Sequence, residues 1–222
     1  MLIKSIYHSP HASYGLCKEL GFTHVNIPLW TFTNVEQAII SADQARAIGL
    51  HCIITPGKDD LSDLKEFFYK ALYCPSCIAY LWDEPNLKGI PAKKIKDQTA
   101  WFHDQGILTM TVLSPIRSYW GYEDCVDFMG FDYYKEFNLW RKLKLFAKVK
   151  EFKDNSPSQF FAVPAVKPGQ IQKQFNFWRK WLGMKSFYWY QFFPTQERPR
   201  WHDKDVDADE SLQAELKKAN ES

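Results

Sequence analysis

A chain of 222 residues, 45% of them hydrophobic, can bury a sizeable core and has room for one large domain or two small ones. Its 28 basic and 26 acidic residues leave a net charge of +2, too little to steer nucleic acid, and no apolar run approaches the roughly 20 residues of a membrane-spanning helix. The anomaly is aromatic: nine Trp, eleven Tyr and seventeen Phe, rings that fill cores but also stack on sugars in wet clefts.

Short β-rich runs and amphipathic runs alternate along the chain. Ile3 to His8 reads as a strand, His11 to Leu20 as a short helix, and Thr23 to Leu29 as a second strand. Val35 to Ile48 is helical, His51 to Thr55 is strand three before Pro56-Gly57, and Asp60 to Tyr73 is the third helix. Strand four is Ile78-Ala-Tyr-Leu-Trp-Asp-Glu-Pro-Asn86, where Pro85 ends the pairing and leaves two carboxylates at the strand end. A helix follows from Pro91 to Asp104, then strand five, Ile107 to Leu113. Ser118 to Cys125 has room for a short helix before strand six, Val126 to Asp132, and the basic amphipathic run Leu139 to Phe152. Gln159 to Val166, a helix over Gln170 to Leu182, the aromatic strand Ser186 to Phe193 and a helix over Ala208 to Ala219 complete the chain.

Eight strands alternating with eight helical segments predict a single-domain parallel (β/α)8 barrel, a TIM barrel of minimal size spanning residues 1–222. An open doubly wound sheet would want a Gly-rich phosphate loop after strand one, and His8-Ser-Pro-His-Ala-Ser-Tyr-Gly15 is not one.

The five cysteines are odd in number, and no charged-then-apolar leader opens the sequence, so reduced thiols in a cytoplasmic setting are expected. Cys74-Pro-Ser-Cys77 has redox or zinc spacing without a second ligand pair, and His8 and His11 lack a third ligand, so no metal is assigned.

Barrels of this kind build their sites at the carboxyl ends of the strands. The candidates are then Tyr7 and His8 (strand one), Asn26, Pro28 and Trp30 (two), Thr55 (three), Asp83, Glu84 and Asn86 (four), and Ser114 (five). Strand six adds Asp132, Tyr133, Tyr134 and Glu136, strand seven Lys167, and strand eight Trp189, Tyr190 and Gln191. Glu84 and Asp132, 48 positions apart, converge on one rim. Two carboxyls among Trp and Tyr suit glycosidic cleavage, one protonating the leaving oxygen and the other supporting the cationic centre. The plainer readings, Asp83 capping a turn and Glu84 in a solvated loop or rim ion pair, stay open here.

Element order and the acidic pair on strand four resemble the (β/α)8-barrel glycoside hydrolases. Trp82-Asp83-Glu84-Pro85-Asn86 is similar to their Asp-Glu-Pro turns, Met129-Gly-Phe-Asp-Tyr133 to strand six of the family-18 chitinase-like barrels, and Tyr188-Trp189 to their strand-eight tryptophan. The resemblance implies that Glu84 is the general acid/base and Trp189 the floor of a sugar subsite. Trp82 stands where the chitinase-like pattern has Asp, and Phe160 to Lys167 carries no acid where the large retaining clan has its second Glu. The partner of Glu84 must come from Asp132, Glu136, Asp83 or the sugar itself.

The expectation is therefore a cofactor-free glycosidase. Glu84, Asp132 and Asp83 would be catalytic, and Tyr7, Asn26, Trp30, Tyr133, Tyr134, Trp189 and Gln191 would bind substrate. The expected partner is a carbohydrate, with no nucleic acid and no membrane. A catalytically silent carbohydrate-binding barrel and a metal- or phosphate-dependent lyase or aldolase are the alternatives.

Overall fold

The computed structural model describes residues 1–6, 11–71, 74, 76–114, 118–132, 139–164, 169, 171–189 and 210–221. The β-rich runs form β1 (Lys4–Ile6), β2 (His24–Pro28), β3 (His51–Thr55), β4 (Cys77–Asp83), β5 (Leu108–Leu113), β6 (Phe128–Asp132), β7 (Gln159–Val163) and β8 (Ser186–Trp189). All neighbours pair in parallel, and β8 pairs back onto β1, closing the barrel in sequence order. The helices are α1 (Tyr14–Glu19), α2 (Val35–Ala47), α3 (Ser62–Lys70), α4 (Pro85–Lys88), α5 (Ala92–His103), α6 (Leu139–Asp154), α7 (Ile171–Leu182) and α8 (Glu210–Glu221). The expected (β/α)8 barrel is present, with two differences. The short α4 is an additional turn of helix directly after β4, and the stretch Ser118 to Cys125 is a series of turns instead of a helix. Gly121 there has φ +94°, which breaks helical geometry, and Thr99 Oγ1 donates to the Cys125 carbonyl at 2.6 Å to hold the turns on α5.

Parallel strands covered by helices alternate between two buried sides. One side faces the axis, where Ile3, Ile53, Ile78, Tyr80, Met110, Val112, Phe128, Phe161, Val163 and Tyr188 form an enclosed cluster. The other faces the helices, where Val25, Ile54, Leu81, Trp82, Phe131, Phe187 and Trp189 join the larger core. Within the barrel Gly130 leaves space for Phe161: a Cβ there would lie 2.3 Å from the ring and 3.0 Å from Val112.

Towards the amino ends of the strands the axial side turns polar. Ser5, His24 and His51 are in register across β1, β2 and β3, and the two imidazole rings lie 4.9 Å apart. Burial, reinforced by His51 and the chain's amino terminus, pushes His24 down to about 3, so its ring is neutral. Thr23 Oγ1 accepts from the Lys4 N–H and is hydrogen-bonded to His24 Nδ1 at 2.7 Å, with the Leu2 and Lys4 carbonyls also within reach.

Cys74 and Cys77 are joined by a disulfide at the start of β4, against the expectation of reduced thiols throughout; their Cα atoms are 5.4 Å apart, inside the bridging range. Cys17, Cys52 and Cys125 are buried, and burial pushes Cys52 and Cys125 up to about 12, far from thiolate reactivity. No helix among the described residues is long and apolar enough to cross a membrane.

Overpacking at the barrel axis is directly testable. Gly130→Ala is expected to cost about 1–3 kcal/mol of stability in urea denaturation, with Phe161→Leu restoring part of it in the double variant. An Ala variant as stable as the parent, or a double variant with no recovery, would show that the Phe161 ring does not fill this space.

Candidate active site

The carboxyl end of β4 departs from simple alternation. Tyr80 is opposite Met110 on β5, but the next pairs are Trp82 with Thr111 and Asp83 with Val112, so Leu81 is an extra residue. Leu81 and Trp82 both face the helices, where Trp82 Nε1 donates to Gln98 Oε1 at 2.6 Å and Lys94 sits over its ring. The irregularity returns Asp83 to the axial side, level with Val112, where the Tyr80 hydroxyl donates to its Oδ1 at 2.8 Å. Strict alternation from Ile78 would have set Asp83 on the helix-facing side; no residue in the sequence advertises the bulge.

Glu84 follows in the left-handed region, at φ 48° and ψ 52°, one of two non-glycine residues with positive φ among those described. That conformation costs a residue with a Cβ of order 1 kcal/mol and is held by its surroundings. The Glu84 N–H donates to the Val112 carbonyl at 2.8 Å, and the Glu84 carbonyl accepts from the Leu87 and Lys88 N–H groups at 3.0 Å. Pro85, at the first position of α4, fixes the direction in which the chain leaves. Asn86 ties this turn to the end of β5: its Nδ2 donates to the Ser114 carbonyl at 2.7 Å, and its Oδ1 accepts the Ser114 N–H at 2.9 Å.

The Glu84 carboxyl is half-buried, and desolvation raises its pKa above the ordinary glutamate value; the Asp83 charge acts in the same direction, while Ser114 and Lys88 oppose it. Asp132 ends β6, two residues beyond Gly130 on the same axial side, and is 7% exposed. Strands β4 and β6 flank β5, which sets their backbones roughly 10 Å apart at the usual strand spacing.

The remaining candidates separate. Ser114 and Asn86 are beside Glu84 as described. Asn26 lies inside the barrel, fully buried, with Nδ2 donating to Thr55 Oγ1 at 2.6 Å and to the Ile53 carbonyl at 3.2 Å. Trp30, just past β2, is 38% exposed at the pole that carries Glu84. Trp189 is placed differently from the expectation: it is fully buried on the helix-facing side of β8, its ring stacked 5.9 Å from Phe187, because Tyr188 takes the axial side. Tyr7, Tyr133, Tyr134 and Gln191 lie outside the described residues, as do His8, Glu136, Lys167 and Tyr190. Among the described residues no three His, Cys, Asp or Glu side chains gather to hold a metal ion. Tyr80 was not a candidate from the sequence; its three-residue spacing from Asp83 joins the two side chains only because of the bulge.

No protein-family profile and no curated protein sequence matches the chain. In three dimensions it is similar to a family-GH113 β-1,4-mannanase, with a TM-score of 0.69 and 12% identity over 100% of this chain and 99% of the mannanase. It is similar to a glycoside hydrolase family 17 β-1,3-glucanosyltransferase from Rhizomucor miehei, with a TM-score of 0.62 and 12% identity over 89% of each chain. A tryptophan synthase α subunit from Legionella pneumophila str. Paris matches with a TM-score of 0.65 and 11% identity over 99% and 93%. The fold is therefore the one used by barrel glycoside hydrolases and by other barrel enzymes.

A carboxyl whose pKa is raised by folding costs stability only while ionised. Glu84→Gln is thus expected to stabilise the protein at about pH 7.5, with the gain fading as pH falls through the raised pKa towards the ordinary glutamate value of about 4.3 and absent at about pH 3.5. Glu84→Gly should add about 0.5–1 kcal/mol by relieving the left-handed backbone. Urea denaturation at both pH values tests this: a Gln gain that is independent of pH would remove the desolvation argument.

Proposed function

We propose that this protein cleaves glycosidic bonds, with Glu84 as the general acid/base. The observation that carries the reading is the combination at Glu84: a strained backbone, a half-buried carboxyl with raised pKa and an axial Asp83 beside it. A general acid for acetal cleavage must keep its proton near neutral pH and release it to the leaving oxygen, and desolvation beside a like charge favours that state. Asp83, fixed by the Tyr80 hydroxyl, tunes and orients Glu84. Asp132 is the anionic partner, supporting the oxocarbenium-like centre or activating water from the far side of β5. Trp30 contributes a stacking face, and Tyr7, Tyr133, Tyr134 and Gln191 stay in the proposed substrate-binding set on their strand-end positions.

The structural neighbours described as a β-1,4-mannanase and a β-1,3-glucanosyltransferase support neutral β-linked glycans as the first substrates to test. A carbohydrate-binding barrel without turnover would share the aromatic residues and the fold but has no use for a strained, partly desolvated acid.

The test is release of reducing ends from β-1,4-manno- and β-1,3-gluco-oligosaccharides. Activity in the parent protein, reduced by about 10²–10⁴ in kcat by Glu84→Gln, with an alkaline limb set by an acid titrating above ordinary glutamate, is the expected result. Turnover undiminished in Glu84→Gln would refute the assignment, and a parent that binds these glycans without cleaving them would favour the binding protein.

A further inference from the structure

A preformed groove lies at the same pole as the candidate site, between the loops that follow β2 and β3. It encloses about 360 Å³, with Trp30, Phe32, Asn34, Glu36, Lys58 and Glu66 among its lining residues, a size within the range of about 300–1,000 Å³ that small-molecule sites occupy. β2, β3 and β4 are consecutive in the barrel, so the groove and Glu84 share one pole and are separated by a single strand.

Its walls are fixed without a ligand. The buried Asp63 carboxylate accepts the Gly57 N–H at 2.6 Å and the Leu64 N–H at 2.8 Å, locking the β3 loop onto the start of α3. Gly57 in turn packs so closely on Trp30 that a Cβ would lie 3.0 Å from Trp30 Cβ and 3.1 Å from its backbone nitrogen. The two loops interlock, and the indole is held partly exposed at the groove instead of folding into the core. On the outer side Lys70 bridges Glu36 at 2.6 Å and Glu66 at 2.7 Å, tying α3 to α2. Carboxylates, an amide and a lysine around one indole provide hydrogen-bond partners for hydroxyls and a flat face for a pyranose. Glu36, Asp63 and Glu66 against Lys58 and Lys70 leave one excess negative charge, which disfavours uronic or sulfated sugars.

Resting on the reading of Glu84 as a glycosidase acid, we propose that this groove is a secondary sugar subsite, which extends the bound glycan from Glu84 across the β3 and β2 loops and selects neutral chains of several residues. Trp30 is its stacking face, and the interlocked loops pre-pay the ordering cost of binding.

The experiment measures binding by titration calorimetry, in a Glu84→Gln background, of di- and hexasaccharides of the β-1,4-manno and β-1,3-gluco series and of hexagalacturonate. The neutral hexasaccharide should bind at least tenfold more tightly than its disaccharide, and Trp30→Ala should weaken the hexasaccharide about tenfold more than the disaccharide. Trp30→Phe should recover most of that difference, with thermal melts reporting whether each variant is folded. Equal losses on short and long glycans, no gain with length, or hexagalacturonate binding as tightly as the neutral hexamer would overturn the subsite. Binding is read apart from turnover: a length-dependent, Trp30-dependent affinity in a protein that cleaves nothing keeps the groove and removes the glycosidase, whereas cleavage with no length dependence does the reverse.

Discussion

Closure of eight short parallel strands allows each strand residue two destinations, the axis or the helix layer, and both are dry through most of the barrel's height. That partition decides nearly everything else. It sends Trp82 and Trp189 outward to pack under helices, keeps Tyr80, Phe161 and Tyr188 inside, and leaves the charged strand residues Lys4, Asp83 and Asp132 where strands begin or end. An aromatic-rich sequence therefore needs position, and not composition, to separate core rings from rings that meet a ligand: the largest buried side chains include Trp178 and Trp189, while Trp30 is 38% exposed.

The candidate site is the place where local order is traded for placement. The extra residue in β4 interrupts the ladder with β5, and the following Glu84 adopts a backbone conformation that glycine would take more cheaply. Compensation is local: the Val112 carbonyl, the first turn of α4 and the paired Asn86 and Ser114 contacts hold the turn from both sides. Rigidity of this kind suits a group that must give up a proton at a fixed point, since side chains carried on a clamped turn lose little entropy when a substrate arrives.

Much of the architecture was legible because hydrophobic periodicity and glycine or proline punctuation report directly on strands and helices. The boundaries of β3 match residue for residue, and α6 starts at Leu139 as read. The connection after β5 was not legible, because Tyr119 and Tyr122 look like an apolar face whether the backbone is helical or turned; Gly121 decided it. At the site, Glu84 could be found from its place at a strand end, yet the orientation of Asp83 depended on a bulge with no sequence signature, and the outward Trp189 followed a resemblance between motifs where the axial neighbour was Tyr188. The Cys74–Cys77 link was likewise beyond reach, since spacing alone does not distinguish a disulfide from two thiols.

The apolar plug around Phe161 has an electrical consequence. Below it sits a neutral histidine, and above it sit Glu84, Asp83 and Asp132, with ten enclosed and largely apolar side chains between the two ends. The plug keeps the two ends apart, with the Tyr80 and Tyr188 hydroxyls the polar groups among its side chains. A buried ring that must gain charge in acid at one pole, and a half-buried carboxyl that must lose its proton at the other, are therefore set by different surroundings.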